Sequence, residues 1–398
     1  MKSSIKCLVI ACLAAVPLIQ AQTGVRFAYE SVVDGNAFRN YEKLSDVIQQ
    51  PRFSIDHQRT GERGSVQFFY NASAFLFSEY SQRQYYYHNA GVTGEYWGAS
   101  GRQTFSWGLQ GGQRVNKDAA YQYYDYQNVN AYLNLRIDHQ NGRIFVLGAQ
   151  ARYRHNSHLP VFDFLESLAF VRGSLFLKTR TTVIAMVQGG NKAFTQSSID
   201  EAWVATVTGN GQPGRGKGRG NAGQDTVYTR VVYGESAQEG VFQLTASLRL
   251  AQSLGGKTGI AVEALVQRNL SGDSRVLSGQ DGGYEANDEL FDDPYSYDME
   301  QLSFILTQLL PWQSRIQLQG ALGNKTYDRP VYTLEGEAVE DLQRHDRPRL
   351  WSVSFSKTFR LAQGLTLSVD YASVDQRSNA AYYRYQASVT RLGCALRF

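Results

Sequence analysis

The chain has 398 residues, with 40 Lys or Arg against 36 Asp or Glu, for a formal net charge of +4. Loss of Lys2 and Lys6 in a leader would lower that to about +2, which is too small a balance to recruit nucleic acid. Tyr (25), Phe (20) and Gly (37) are abundant and Pro (8) and Met (3) scarce, as expected of strands that face water on one side and lipid on the other.

The first segment reads as a secretory leader. Lys2 and Lys6 precede an apolar run from Cys7 to Ile19, and Ile19-Gln20-Ala21 offers a cleavage site after Ala21. The expected mature chain is 22–398. Taking Val9-Ile10-Ala11-Cys12 as a lipoprotein cleavage box would leave a very short apolar run before Cys12, and that run continues beyond it. With Cys7 and Cys12 removed, only Cys394 remains, so no internal disulfide is possible. No run of about eighteen apolar residues follows Ala21, so no spanning helix is expected. Only a closed barrel then crosses a bilayer, because every backbone polar group needs a partner within the protein.

Strand-like alternation follows. Val129, Ala131, Leu133, Leu135 and Ile137 precede a turn at His139-Gln140-Asn141-Gly142, with Phe145, Leu147 and Ala149 beyond it. Phe242 to Leu250 and Ile260 to Val266 flank Gly255-Gly256; Leu302 to Leu306 and Ile316 to Leu322 flank Pro311-Trp312. Trp351, Val353, Phe355 and Phe359 alternate with Ser352, Ser354, Ser356 and Thr358, and Leu365, Leu367, Val369 and Tyr371 follow Ala362-Gln363-Gly364.

Short turns are expected near residues 61, 100, 140, 179, 255, 311 and 362, with longer polar loops between them at about 191–238, 270–297 and 326–348. With both chain ends on the short-turn side, the fold class is an all-β, transmembrane, antiparallel up-and-down barrel of about sixteen strands, with fourteen or eighteen as alternatives. The ambiguity lies between 179 and 255, where Trp203–Val207 and Val227–Tyr233 are expected to form a β-ribbon in one long external loop. The early turns recur roughly every 39 residues, and the repeat is geometric, with none evident in the residues.

At the C-terminus, Leu392, Cys394, Leu396 and Phe398 share one face and Arg391, Gly393, Ala395 and Arg397 the other. This resembles the last strand of Gram-negative outer-membrane β-barrels, porin-like in character, whose assembly machinery reads such a terminal aromatic. The resemblance implies Phe398 and Leu396 as the assembly signal, the outer membrane as location, and contact with its lipid and lipopolysaccharide. Together with the leader and the number of hairpins, it argues against a soluble β-sandwich. Asp34-Gly35-Asn36-Ala37-Phe38-Arg39-Asn40-Tyr41 is similar to a segment near the start of uncharacterised barrels and brings no function. A TonB-dependent receptor is excluded, since strand-like sequence begins where a plug domain would stand.

The polar strand faces carry Arg136, Arg152, Arg154, Arg249, Arg315, Arg360 and Arg391, with Asp138, Glu263 and Asp370. Charge belongs in the lumen, since Arg at the lipid midplane costs roughly 2–4 kcal/mol. These residues are expected to line a water-filled pore for small hydrophilic solutes, mildly favouring anions; the alternative is an interior stitched shut by Arg–carboxylate pairs. The groups Tyr85–Tyr87, Tyr121–Tyr126 and Tyr382–Tyr385 are expected at the bilayer interface, where an apolar ring with a polar tip fits, or as a carbohydrate-stacking track.

From Asp281 to Glu300 lie eight acidic residues and no basic ones. Asp288, Asp292 and Asp293 are weak candidates for a divalent cation, but without regular ligand spacing a solvated loop is the expectation. Gly214–Gly220 is basic and flexible, able to touch lipopolysaccharide phosphates, and lacks the context of a phosphate-binding loop. A Ser157, His155, His158, Asp163 set is conceivable for a loop hydrolase, but no enzyme-barrel pattern is recognisable and no catalysis or cofactor is expected. A non-conducting barrel whose loops bind a partner or polymer is the second reading.

Overall fold

The computed structural model describes residues 20–39, 41–139, 141–195, 202–208, 225–231, 240–272, 274, 290, 292–332, 338–359 and 364–398. Their first strands are β1 (Gln20–Asp34), β2 (Asp46–Gly61), β3 (Gly64–Phe77), β4 (Tyr85–Trp97), β5 (Gln103–Asn116) and β6 (Tyr126–His139). Next come β7 (Arg143–Asn156), β8 (Phe164–Phe176), β9 (Thr181–Phe194), β10 (Ala202–Thr208), β11 (Asp225–Val231) and β12 (Gly240–Leu254). The last are β13 (Thr258–Ser271), β14 (Tyr297–Leu310), β15 (Ser314–Tyr332), β16 (Ala338–Phe359), β17 (Leu365–Ser378) and β18 (Tyr385–Arg397).

Sixteen of these strands close into one barrel, running β1 to β9, then β12 to β18 and back to β1. Each pairs antiparallel with its neighbours, so the barrel is of the up-and-down type. The strands β10 and β11 pair only with each other, from Ala202↔Val231 to Thr208↔Asp225, which gives the ribbon and settles the count against eighteen. A barrel this wide leaves room for water inside.

Closure joins the two ends of the chain. Arg26↔Arg397 to Asp34↔Val389 are in register. The Val25 and Phe398 backbones exchange bonds of 2.8 and 3.2 Å, and the Phe398 ring meets Phe27 at 6.4 Å, which in turn packs on Phe53. The aromatic at the chain end therefore lies over the seam on the outside.

Parity fixes the two faces. Phe27, Leu133, Leu147, Leu248, Leu250, Phe304 and Leu392 all lie on the outer face and are exposed, forming an apolar belt for lipid. Most strands have 13–16 residues. At about 3.3 Å per residue and a tilt near 45°, they exceed the ~25 Å apolar band of such barrels. No described helix is long and apolar enough to cross a membrane.

The interval 326–348, expected as a loop, is largely paired strand. β15 and β16 continue through Thr326↔His345 to Val331↔Val339, with register shifts on either side of Pro330. Inward-facing Lys325, Tyr327, Arg344 and Asp346 hold the extension. Arg344 Nε donates to both Asp346 oxygens at 3.1 Å, and its guanidinium lies 4.0 Å from the Tyr327 ring centre. A charged, proline-containing sequence reads as loop until these partners face one another.

Candidate functional site: the lumen and its outer mouth

At the long-loop end the lumen is ringed by aromatic–cation pairs. In four hairpins an inward aromatic opens one strand, and an inward cation near the end of the next lies on its ring. Arg114 sits 3.9 Å from the Tyr85 centroid, Arg154 3.9 Å from Tyr126, Lys192 3.9 Å from Phe164 and Lys325 4.1 Å from Tyr297. In each case the cation is the diagonal cross-strand neighbour of the ring, as the pairs Tyr87↔Arg114, Asn128↔Arg154, Glu166↔Lys192 and Met299↔Lys325 show. The aromatic-to-cation spacing is 28 or 29 residues throughout. A residue-level repeat therefore exists, contrary to expectation; it escaped notice because it links opposite ends of a hairpin, not adjacent residues.

Aspartates fold the connecting loops inward. Asp125 Oδ1 accepts from the Asn116 backbone at 2.6 Å and from its amide at 2.7 Å. Asp163 Oδ1 accepts from Asn156 N at 2.6 Å. Asp46 accepts from the Ser78, Glu79 and Tyr80 amides at 2.9–3.1 Å. The short 3-10 turns Ala119–Tyr124 and Pro160–Phe162 thereby pack inside the mouth, where Tyr121, Tyr123, Tyr124, Leu159 and Phe162 form a buried cluster. This corrects the interfacial reading of the tyrosines. Tyr85 and Tyr121–Tyr124 are buried, Tyr126 and Tyr385 face inward, and only Tyr86 of these points out from its strand. The Tyr382 side chain lies outside the described residues.

A strap from the opposite wall completes the mouth. β13–β14 lies across the barrel from β5–β6, yet Leu290 is buried against the tyrosine cluster. Three segments of wall hold the strap. Asp293 takes a 2.6 Å bond from Lys192 on β9 and another from Ser274. Asp292 takes 2.8 Å bonds from Lys325 Nζ and the Tyr327 hydroxyl on β15. The Pro294 carbonyl accepts from Gln243 and Gln267, both at 2.8 Å. Tyr295 leans over β8 and β9, and a Cβ at Gly190 would strike its hydroxyl.

The charge of the strap follows from these contacts. Burial alone would raise the Asp292 pKa, but Lys325 and Arg344 outweigh it and hold the carboxyl below the usual aspartate range. Burial, then Glu166, pushes the Tyr295 phenol well up, so it remains a neutral donor. The metal candidates Asp292 and Asp293 are thus occupied by lysines. Among the described residues no group of three or more His, Cys, Asp or Glu could hold a metal ion, and Asp288 lies outside those residues.

Below the collar the inward charged side chains are accessible to solvent. Register and parity place Arg136, Arg249, Arg315, Arg391, Asp138, Glu263 and Asp370 on the inward face. Arg136 remains 51% exposed, Arg249 39% and Glu263 33%, although each is ion-paired: Arg136 with Asp138 at 2.9 Å, Arg249 with Glu263 at 3.8 Å. Arg152 and Arg154 also face inward but belong to the mouth, bonded to Glu166 at 2.7 Å and Asn156 at 3.0 Å. Arg360 lies outside the described residues.

The same parity adds residues that sequence reasoning missed: Arg26, Arg52, Arg172 and Arg397, with Glu30, Asp56 and Glu95. Arg172 stood in plain alternation with Val171 and Gly173, so the period-two signal was there to be used. Below the collar, among the described inward groups, Arg26, Arg172, Arg315, Arg391 and Arg397 lack an ion pair, against Asp56, Glu95 and Asp370. A vestibule of about 610 Å³ at the short-turn end includes Arg26, Asp56, Gln67, Asn71, Thr93 and Arg397 in its lining. On β4 and β6, the side-chain oxygens of Asn89, Asn128 and Asn130 are buried and lack a hydrogen-bond partner among the described residues.

A closed sixteen-stranded antiparallel barrel with an apolar outer belt and a charged, solvent-accessible interior defines the class: the protein is a transmembrane β-barrel with the fold of Gram-negative outer-membrane porins. Its fold is similar to that of Pseudomonas aeruginosa OccK5 (OpdH), with a TM-score of 0.50 at 9% identity, covering 95% of this chain and 98% of that one. The outer membrane protein OprD from Pseudomonas aeruginosa matches with a TM-score of 0.47 and 11% identity over 97% of this chain and 95% of its own. Acinetobacter baumannii OccAB3 matches with a TM-score of 0.47 and 10% identity over 95% and 99%. No protein-family description and no curated protein matches the chain.

Proposed function

We propose that the protein is a passive channel for small hydrophilic solutes across the Gram-negative outer membrane, mildly favouring anions and narrowest at the strap. The carrying observation is that inward charged side chains keep contact with solvent even when paired, Arg136 being 51% exposed and Arg249 39%. A dry, stitched interior would bury them, as the mouth buries Lys192 and Asp293. The unpaired arginines bias the field toward anions, and low-dielectric walls focus it.

A leader ending at Ala21 and recognition of Phe398 by the barrel assembly machinery fit this location. The test is conductance of folded protein in planar bilayers. Stable steps support the channel reading, and silence even after the strap is loosened removes it.

The filled mouth favours a second reading, a surface barrel whose loops bind a partner. A hydrolase has less support. His155 Nδ1 is 2.6 Å from Asp163 Oδ2, but no hydrogen bond joins the Ser157 hydroxyl to His155 or His158.

A further inference from the structure

On the outside of the barrel, where β15–β18 emerge above the apolar belt, lies a groove of about 1010 Å³. Arg347, Arg349, Arg377, Arg384 and Lys43 contribute to its lining, with Asp375 as the one carboxylate. Parity places Arg347 and Arg349 on the face of Trp351 and Val353, which is the lipid face.

The height of the groove is set by its neighbours. Trp351 packs on Tyr371 with ring centres 5.0 Å apart, an aromatic pair of the kind that seats at headgroup level. Arg349 is two residues further along β16, about 7 Å, and Arg347 about 7 Å beyond that. Both guanidinium groups therefore stand where the phosphates of the outer leaflet stand.

The charge balance needs a counter-ion. Arg347 is directly opposite Arg377 in the β16–β17 ladder, an arrangement that destabilises a sheet unless an anion lies between. Asp375, which stands opposite Arg349 in the ladder, is drawn to Arg377 at 3.0 Å, and among the described residues Arg384 bonds only the Ser378 carbonyl, at 3.0 and 3.2 Å. Arg347 and Arg349 have neither an ion pair nor a side-chain hydrogen bond among the described residues. Elsewhere on the outer face the protein supplies the partner itself: Arg268 is paired with Glu300 and lies 3.9 Å from Asp298.

We propose that this groove binds a phosphorylated glycolipid of the outer leaflet, with lipopolysaccharide phosphate held in the fork of Arg347, Arg349 and Arg377 and its acyl chains lying along the Trp351 face. Guanidinium is suited to this, since it grips phosphate through two parallel bonds. The proposal does not rest on conduction.

The test titrates folded, detergent-solubilised protein with purified lipopolysaccharide and counts bound phosphate per barrel. Arg347→Gln with Arg349→Gln should weaken binding by about tenfold or more, as loss of two cations at an anionic surface implies. Arg268→Gln should leave it unchanged. Dephosphorylated lipid should bind weakly, and inorganic phosphate at matched concentration should not displace lipopolysaccharide. Heat-modifiability confirms folding; if the double variant does not insert, the two single variants serve, each several-fold weaker. Undiminished binding in the arginine variants, or an equal loss in Arg268→Gln, overturns the site. Full displacement by inorganic phosphate makes it a simple anion site and overturns the lipid assignment.

Discussion

Lys192 and Asp293 meet at 2.6 Å with side chains only 2% and 1% exposed, joining the β9 wall to the strap over the mouth. Lys192 also lies on the Phe164 ring, so one ammonium belongs to both the collar and the strap. Removing one partner of such a pair leaves a buried charge without compensation, at about 3–5 kcal/mol. Lys192→Met should therefore release the strap. Single-channel conductance should rise, with more open-state noise and the barrel still heat-modifiable. Unchanged conductance would show that the strap does not narrow the path.

Acid should act on the second tether. Asp292 has its pKa lowered in the docked strap, so the stabilisation from Lys325 is present above the ordinary value of 3.8 and lost as pH falls through the lowered value. Conductance should be steady from neutral to mildly acid pH and rise only below about pH 3.8. Asp292→Asn should show the high-conductance state at neutral pH and no such step. A transition near pH 6 would point to histidine instead.

Selectivity should follow the unpaired arginines. Replacing Arg172, Arg315 and Arg391 with glutamine should move the reversal potential toward cations. Arg136→Gln should do less, because it also frees Asp138. The effect should be larger in 0.01 M than in 1 M salt, where the screening length falls from about 30 Å to about 3 Å. A reversal potential indifferent to all three substitutions would remove the anion preference.

Period-two alternation carried the architecture. It located the seven short turns, the ribbon and the inward parity of Arg136, Arg249 and Arg391, because lipid and water act on alternate side chains and leave a local mark. The mouth was not legible. Nothing local to Asp293 says that its partner is Lys192, 101 positions away, or that Leu290 reaches the tyrosine cluster inside the mouth. Eight clustered acids look like a solvated loop until two of them meet lysines presented by other strands. The tyrosines misled for the same reason, since a ring at a strand end serves the bilayer interface or a collar equally well until its direction is known.

Cys394 provides a check on parity. It is exposed, pairs with outward Tyr29 and Leu367, and lies on the face of Leu392. In membranes a water-soluble maleimide should label it poorly, and after denaturation well. Rapid labelling of the native protein would mean that β18 is turned the other way.

Phe398 closes the seam against Phe27. Its deletion should lower the yield of heat-modifiable protein and leave unfolded chain in the periplasm. Normal insertion of the truncated chain would remove the terminal ring as an assembly determinant.

The diagonal ring–cation pairing within β4–β5, β6–β7, β8–β9 and β14–β15 makes each of these hairpins a self-contained staple. Ring and cation travel together on one stretch of chain, so a barrel of this kind could gain or lose such a hairpin, changing its girth by two strands, without orphaning either group. A single-residue insertion within a strand has the opposite effect. It turns the cation toward lipid and leaves the ring bare. Variation in this architecture should therefore come in whole hairpins, and the mouth should keep its chemistry as its width changes.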